Sequence, residues 1–578
     1  MNNNANSSLE PPNPVIGYVV GGGLQANLQV RLIVPADQVQ EGSFVVMDSG
    51  NWRFYGLVTD LFLGSTDPRF ADEQSENRLP AKLAELLHGQ TLFTNLSVMS
   101  VLMLERGPEP GSPGYEAWRR ENPDDKSPIP VKTVPRHHAE ARLADGMDIA
   151  QIFGSEGEGH NFRIGNTREQ GHPVCIDLDK FVQRSSGIFG ATGTGKSFLT
   201  RVILAGLIHA DNASTLIFDM HNEYGPDDTS SDTGEAVPGL RGKFPNKVRM
   251  VGLGAKTSIR GVNPDFTLEI AESDITPADI LMLTQELNLR ETTPATLSAL
   301  EGTFHKNWFH AFKNMRVGTT VEDENGKQVP APDSVAFWAF HAGVNTSAAE
   351  ALHSKLGDMF KRPYIVESPA ANTLGEIVKH LNEKHHIILS FGNFESDLDY
   401  LLVTNLITRH IRETWEKKTN AFRTDHEKNP EPRPLVVVVE EAHKLLNREM
   451  ASQTTFSTIA REMRKYYVTL LIIDQRPSQI YDEVMSQLGT RISGWLGDED
   501  DINAVLSGLA GRSVLRGMLA HLQPKEEVLM LGWGISMPLP LRSRRYDQQF
   551  WNELLKDTGR PVTGGRQERD DLNAEMGY

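Results

Sequence analysis

A glycine-rich stretch carries the clearest chemical signal in the sequence. It consists of Gly190, Ala191, Thr192, Gly193, Thr194, Gly195, Lys196 and Ser197 and fits the phosphate-binding pattern G-x-x-x-x-G-K-[ST]. Glycines let backbone N–H groups curve around a phosphate without Cβ clashes. We expect Lys196 to contact the β- and γ-phosphates and Ser197 to bind Mg²⁺. The predicted nucleotide-binding segment extends to Phe198.

The surroundings of this stretch are those that a phosphate-binding loop requires. Residues 186–189 form a short apolar run, which predicts a strand. Residues 198–208 read as a buried helix, whose N-terminus would add the positive end of its dipole to the phosphate site. Strand, loop and helix together predict a P-loop that binds ATP. A guanine-reading N-K-x-D motif would need an acid at Arg249, so nothing indicates GTP.

Two adjacent acids follow the apolar run 435–439. Glu440 ends this predicted strand, and we expect it to act through the Mg²⁺ shell. Glu441 is then placed to orient or deprotonate the attacking water. The alternative is a pair of ordinary acids at the end of a strand, which the upstream P-loop disfavours.

Two further strands end in polar residues. Residues 215–218 lead into Asp219, with Glu223 four residues later, and either acid could support Mg²⁺ or water because α/β sheets bind ligands at the C-terminal ends of their strands. Residues 468–473 lead into Asp474 and Gln475, which places Gln475 to sense the γ-phosphate through a hydrogen bond. A solvated loop acid and an ordinary polar turn residue remain the alternatives for Glu223 and Gln475.

A helix with a basic face is predicted between the strands at 435–439 and 468–473. Phe456, Ile459, Met463 and Tyr466 share one face at 100° per residue, whereas Arg461, Arg464 and Lys465 fall on the other. The basic face could be solvated. It could also send an arginine into the phosphate site of a neighbouring subunit, where such a finger accelerates hydrolysis by about 10³–10⁵-fold.

Composition limits the remaining possibilities. The chain has 578 residues and a net charge of −18, which argues against a protein that coats nucleic acid with its whole surface but leaves room for a local basic channel. No apolar run is long enough to span a membrane, and the polar N-terminus does not resemble a signal peptide. The single cysteine, Cys175, excludes an internal disulfide and suits a cytoplasmic protein.

The order of predicted elements indicates an α/β protein with several domains. Short β-like runs separated by glycine-rich turns predict a small antiparallel barrel over 13–135, after a disordered tail at 1–12. Near-continuous β-branched runs alternating with helices predict a doubly wound P-loop core in two parts, 136–270 and 385–557. A helical insertion at 271–384, with Thr276 as N-cap, separates the two parts, and 558–578 form a flexible tail.

These motifs together resemble the HerA branch of the HerA/FtsK superfamily of hexameric ATPases. The resemblance rests on the P-loop, the segment 218–224, the Glu440–Glu441–Ala442–His443 motif, and the segments 459–465 and 474–478. It implies a RecA-like core with an N-terminal HAS-type barrel. In the finger region Met463 stands where this family usually has glycine, so Arg464 matches the finger best and Arg461 second. Asp219 joins Ser197 and Glu440 as a predicted metal-site residue.

The resemblance also implies a function. It predicts a homo-hexameric ring that uses ATP and Mg²⁺ to move double-stranded DNA through its pore. The implied partner is a nuclease in DNA end processing, or a nuclease or NADase effector in antiphage defence. Two other classes stay open: a ring ATPase that acts on protein, and a scaffold that assembles and regulates a toxic effector.

Overall fold

The structure is a computed structural model and falls into two compact units, which are described separately. It describes residues 13–66, 92–108, 112–121, 127–229, 234, 236–255, 257–322, 324, 327–394, 396–450, 455–509 and 511–556. The first unit is built from the described residues within Met1–Phe181, Ala191–Gly195 and Thr490–Arg544, and the second from those within Val182–Gly190, Lys196–Gly489 and Arg545–Tyr578. The two predicted tails, 1–12 and 558–578, lie outside the described residues.

The first unit begins with the predicted antiparallel barrel. Its strands are β1 (Val15–Gly21), β2 (Leu28–Leu32), β3 (Phe44–Ser49), β4 (Trp52–Ser65), β5 (Leu92–Glu105), β6 (Ile129–Pro130) and β7 (Glu140–Leu143). They follow the order β2-β1-β7-β3-β4-β5-β6, and additional pairing of β2 with β5 closes the barrel. Alternate residues such as Leu28, Val30 and Leu32 fill its core, as the period of a strand requires. Strand β7 lies beyond residue 135, where the sequence placed the end of this domain.

Three helices and two strands complete the N-terminal part of this unit: α1 (Tyr115–Glu121), α2 (Gly146–Phe153), β8 (Asn161–Thr167), β9 (Pro173–Asp177) and α3 (Leu178–Val182). Helix α2 begins with a capping box in which Asp145 and Asp148 accept each other's backbone N–H groups. The Asp148 carboxylate also binds Arg53 and Arg142 of the barrel, at 3.1 and 2.6 Å. These ion pairs attach α2 to the barrel.

The second unit is built on a parallel sheet. Its strands are β10 (Ser186–Phe189), β11 (Ser214–Asp219), β14 (Val248–Leu253), β15 (Phe266–Leu268), β20 (His386–Ser390), β21 (Leu435–Glu440) and β22 (Val468–Asp474). They follow the order β15-β14-β20-β11-β21-β22-β10, and every pairing is parallel. The strands predicted at 186–189, 215–218, 435–439 and 468–473 are confirmed. Apolar runs rich in β-branched residues suit strands that helices cover on both faces.

Helices and short elements surround this sheet. The helices are α4 (Lys196–Ala210), α5 (Leu240–Lys243), α12 (Asp397–Thr424), α13 (His443–Leu446), α14 (Thr455–Glu462) and α15 (Asp482–Gln487), with 3₁₀ turns at Met463–Tyr466 and Pro477–Gln479 and a hairpin of β12 (Asp228–Thr229) with β13 (Ala236–Val237). Helix α4 is buried along most of its length. Among the described residues, no helix has the length and apolar content needed to cross a bilayer.

The predicted helical insertion follows β15. It contains α6 (Pro277–Met282), α7 (Thr293–Phe304), α8 (Trp308–Asn314), α9 (Val335–Ala342), α10 (Thr346–Phe360) and α11 (Thr373–Asn382), the paired strands β16 (Ile270–Ala271) and β19 (Ile365–Val366), and a hairpin of β17 (Thr320–Glu322) with β18 (Gln328–Pro330). Thr276 is the N-cap of α6 and forms a capping box with Asp279, with Pro277 at the first helical position. The predicted start of this helix is therefore confirmed.

The chain then returns to the first unit. Here lie β23 (Thr490–Ser493), α16 (Glu499–Val505), α17 (Arg512–Ala520), β24 (Glu527–Gly532) and β25 (Leu539–Ser543). Strands β23, β24, β25, β8 and β9 are neighbours in that order, and the pairings from β23 to β9 are antiparallel. A final helix, α18 (Gln548–Leu555), belongs to the second unit. The sequence analysis did not predict the individual strands and helices between residues 490 and 555. The predicted domain boundaries stay predictions.

Candidate functional site

The P-loop joins β10 to the first residue of α4. Gly193 and Gly195 have φ angles of +78° and +87°, which L-residues rarely adopt. Thr194 holds the loop from inside, since its hydroxyl donates to the Ala191 carbonyl at 2.7 Å. Apart from its two neighbours in the chain, no described residue has a heavy atom within 4 Å of the position that a Cβ on Gly193 would take, so the backbone there faces open space. Such a cradle fits a phosphate chain.

Lys196, the first residue of α4, is set among carboxylates. Burial lowers the pKa of its ammonium, and the charges of Glu441 and Asp474 act in the opposite direction, with smaller effects from Glu223 and Glu440. Several acids and one lysine therefore share this end of the parallel sheet. A bound divalent cation would compensate the excess of negative charge, and the lysine would then be available to phosphate.

Glu440 ends β21 inside the protein, and two tyrosines hold it. The Tyr224 hydroxyl donates to its Oε1 at 2.7 Å, and the Tyr400 hydroxyl donates to its backbone carbonyl at 2.8 Å. Its Oε2 is buried without a hydrogen-bond partner among the described residues. Burial, together with the nearby Asp219 charge, raises the pKa of Glu440 well above its ordinary value. An orphaned buried carboxylate oxygen needs a partner, and Mg²⁺ or one of its water ligands fits that need.

Asp219 ends β11 and is fully buried. Its carboxylate accepts the backbone N–H groups of Glu223 and Tyr224 at 2.8 and 3.0 Å. Burial raises its pKa to about 6, while these hydrogen bonds act in the opposite direction. Asp219 thus fixes the loop that delivers the Tyr224 hydroxyl to Glu440. This structural role does not depend on a metal, and the predicted role of Asp219 as a metal-site residue stays a prediction.

Glu441 adopts an uncommon backbone conformation. Its φ angle is +46°, in the left-handed region where a non-glycine residue is strained. Such conformations cluster at functional sites because the surrounding structure must enforce them. His443, two residues further along the motif, places its Nδ1 at 2.9 Å from Asp474 Oδ2 and at 3.5 Å from Glu441 Oε2. The hydrogen bond to Asp474 is the main cause that raises the pKa of His443.

The remaining predicted residues lie on the neighbouring elements. Gln475 follows β22, the strand that lies between β10 and β21, and is half-buried. Strand order therefore places Gln475 at the same edge of the sheet as the P-loop and the two glutamates. Asn222 and Glu223 lie in the loop after β11, where Glu223 offers its carbonyl to Arg201 at 2.6 Å.

The predicted basic helix differs from expectation at its end. Helix α14 stops at Glu462 and continues as a 3₁₀ turn, and Tyr467 in the left-handed region ends that turn. Phe456, Ile459 and Met463 are buried as predicted. Arg461 and Arg464 are both exposed. Arg461 lies 3.4 Å from Glu483 of the same chain, whereas the Arg464 guanidinium has no ion pair among the described residues.

Sequence reasoning missed the two tyrosines that orient Glu440. Tyr224 lies within the 218–224 segment, where the acids Asp219 and Glu223 carry the sequence signal. Tyr400 lies in α12, where the sequence shows only an apolar helix face. These tyrosines could have been recognised from the sequence only if the strand order were known, because the strand order shows which hydroxyls lie next to Glu440.

The chain is similar to known helicases. The family model for the central domain of the helicase HerA matches residues 162–411. The chain is 23% identical over 491 residues to the DNA double-strand break repair helicase HerA of Saccharolobus solfataricus, covering 83% of this chain and 82% of that protein. It is 23% identical over 545 residues to the protein of that name from Sulfurisphaera tokodaii, covering 92% and 93%.

The chain also shows similarity to solved structures. VirB4 of Thermoanaerobacter pseudethanolicus is 15% identical, with a TM-score of 0.41 over 68% of this chain and 99% of that chain. The bacterial conjugative coupling protein TrwB is 12% identical, with a TM-score of 0.44 over 70% and 93%.

The parallel sheet, the P-loop at the start of α4 and the carboxylates at the ends of β11 and β21 define a P-loop ATPase with a RecA-like core, an N-terminal barrel and a helical insertion. The protein is an ATP-hydrolysing enzyme. The resemblance to the HerA family drawn from its motifs is confirmed, since the chain is similar to HerA helicases over most of its length.

The burial of Glu440 has a consequence for stability. Since burial raises its pKa, the folded chain binds more protons than the unfolded chain above the ordinary glutamate pKa, and stability falls as pH rises through that window. We expect Glu440→Gln to stabilise the nucleotide-free protein by about 1–2 kcal/mol at pH 8 and by less at pH 5. Thermal unfolding without Mg²⁺ at both pH values measures this. Equal or lower stability of the variant at pH 8 would contradict the assignment of a buried carboxylate whose Oε2 has no hydrogen-bond partner among the described residues.

Proposed function

We propose that this protein is a ring-forming ATPase that moves along double-stranded DNA. The observation that carries the proposal is the combination of the ATPase site with similarity, over most of the chain, to proteins named DNA double-strand break repair helicases. Addition of linear double-stranded DNA is expected to raise the rate of ATP hydrolysis severalfold. A rate unaffected by DNA would favour a ring ATPase that acts on protein or a scaffold for an effector.

In this proposal each group of the site has a task. The backbone of Gly190–Gly195 surrounds the phosphates, Lys196 contacts the β- and γ-phosphates, and Ser197 with Glu440 holds Mg²⁺. Bound Mg²⁺ would neutralise charge on the phosphates during transfer. Glu441 orients the attacking water and Gln475 senses the γ-phosphate. The orphaned Glu440 oxygen and the open P-loop backbone support this distribution of roles.

The site is completed by a neighbouring subunit in a hexameric ring. Helix α14 buries Phe456 and Ile459 against its own unit, so the exposed Arg464 is available to another copy. Arg461 is engaged with Glu483, which favours Arg464 as the finger. The ring therefore hydrolyses ATP at shared sites.

A mixing experiment tests the shared site. Arg464→Ala and Lys196→Ala subunits are each expected to lose activity, by about 10³-fold or more for the arginine. Mixed rings should regain part of the activity, because a Lys196→Ala subunit lends its arginine to an intact P-loop. No recovery in rings shown to be mixed would count against the trans role. Full activity of Arg464→Ala alone would transfer that role to Arg461.

Binding to DNA is expected to depend on phosphate contacts rather than on bases. The sequence contains no zinc finger or other base-reading motif, and the net charge of −18 confines any DNA contact to a local basic surface. The affinity for duplex DNA should thus fall steeply with salt, by about 10³-fold or more between 50 and 200 mM if six phosphates are contacted. Titrations at several salt concentrations on two unrelated sequences measure both properties, and a preferred sequence would contradict the proposal.

The ring is proposed to work in the cytoplasm with a nuclease or an NADase, in DNA end processing or antiphage defence. The family resemblance supports a partner but does not choose between these effectors. Purification of the chain together with the product of the adjacent reading frame tests the partnership directly. A stable complex whose effector activity responds to ATP is the expected result.

A further inference from the structure

One buried carboxylate joins the two loops that follow β21 and β22. Asp474 Oδ2 accepts hydrogen bonds from the backbone N–H and from the imidazole Nδ1–H of His443, at 2.7 and 2.9 Å. Asp474 Oδ1 accepts the backbone N–H of Arg476 at 2.7 Å. Its side chain has no exposed surface. Three hydrogen bonds to one buried carboxylate make a rigid connection, because charge-assisted bonds in a dry environment are strong.

This connection lies on one side of the strained residue Glu441. On the other side, the Glu440 carbonyl accepts the Tyr400 hydroxyl at 2.8 Å. The backbone is therefore anchored immediately before Glu441 and two residues after it. A left-handed conformation at a non-glycine residue is strained and persists only where neighbouring contacts enforce it. The two anchors supply that enforcement.

The same histidine also lies beside the Glu441 side chain. His443 Nδ1 is 3.5 Å from Glu441 Oε2, so the imidazole limits where that carboxylate can move. A general base works only within hydrogen-bond reach of its water, and a displacement of about 1 Å can lower the rate about 100-fold. Placement of Glu441 thus depends on His443, and placement of His443 depends on Asp474.

We propose that His443 and Asp474 are positioning residues that hold Glu441 in its hydrolytic geometry. This rests on the proposed role of Glu441 as the residue that orients water. Neither side chain needs to touch the nucleotide, so they should affect the chemical step and leave nucleotide affinity almost unchanged.

The experiment compares four variants of the full chain in steady-state ATP hydrolysis without DNA. His443→Ala is expected to lower kcat by about 10–100-fold while KM for ATP changes by less than about threefold. His443→Asn should retain most of kcat, since its amide N–H can replace Nδ1–H toward Asp474, whereas His443→Gln places its amide too far along the side chain. Lys444→Ala is the matched control on α13, because that lysine pairs with Asp397.

The outcomes separate this inference from the proposed site. Loss of kcat with Ala and Gln and its retention with Asn supports the positioning role. The positioning role would be overturned if all histidine variants were equally active, or if the Asn and Gln variants lost kcat equally. It would also be overturned if the loss of kcat came with a higher KM for ATP and lower thermal stability. If His443→Ala does not fold, the Asn and Gln variants still decide. Glu441→Gln is measured alongside: if that variant hydrolyses ATP normally, the proposed role of Glu441 fails rather than its positioning.

Discussion

Lys196→Ala is expected to lower ATP turnover by about 10²–10³-fold or more while the fold survives. The lysine lies at the start of α4 and is only partly buried, among carboxylates that would repel a nucleotide without it. Removal of its charge takes away a fixed counter-charge for the β- and γ-phosphates. The apolar core of the sheet and of α4 is left intact.

The measurement is steady-state ATP hydrolysis together with thermal unfolding. Lys379→Ala is the matched control, because that lysine is exposed on α11 and pairs weakly with Glu383. Its activity should equal that of the unchanged protein. Normal hydrolysis by a well-folded Lys196→Ala variant would refute the assignment of the nucleotide site.

Glu441→Gln should bind ATP but hydrolyse it about 10²–10⁴-fold more slowly. The substitution keeps the size of the side chain and removes its ability to take a proton from water. Ser197 and Glu440, the proposed Mg²⁺ residues, are unchanged. ATP should consequently remain bound intact, and any hexamer stabilised by ATP should persist.

Nucleotide binding and single-turnover hydrolysis, measured separately, test this expectation. Glu462→Gln is a suitable control, because that residue is an exposed acid at the end of α14. If Glu440→Gln proved far more damaging to turnover than Glu441→Gln while ATP binding was kept, the two proposed roles should be exchanged. If Glu441→Gln lost ATP binding, the residue would belong to the binding site rather than to hydrolysis.

Much of the parallel core was predictable from local pattern. The strands β11, β20, β21 and β22 are apolar runs rich in β-branched residues, and each ends in a polar residue. This combination indicates a buried parallel strand even before its neighbours in the sheet are known. The P-loop is equally local, since glycine spacing and the helix that follows lie within one segment. The position of Gln475 followed from the same logic, since it needs only the end of β22.

Other parts of the site depend on the spatial arrangement of distant segments. Tyr224 and Tyr400 lie 176 positions apart in the chain, yet both donate to Glu440. The left-handed conformation of Glu441 has no sequence signature, because local propensity opposes it and tertiary contacts enforce it. The end of α14 at Glu462 was missed for the same reason: the apolar period continues to Met463 and Tyr466, but the backbone tightens into a 3₁₀ turn.

The central claim is that ATP hydrolysis drives movement along double-stranded DNA. Displacement of a third strand from a triplex tests it directly, because a motor that moves along the duplex removes the third strand without separating the other two. We predict displacement that requires ATP, is lost in Lys196→Ala and proceeds on blunt-ended duplex. Active ATP hydrolysis with no displacement, under salt conditions in which the protein binds the duplex, would contradict the claim.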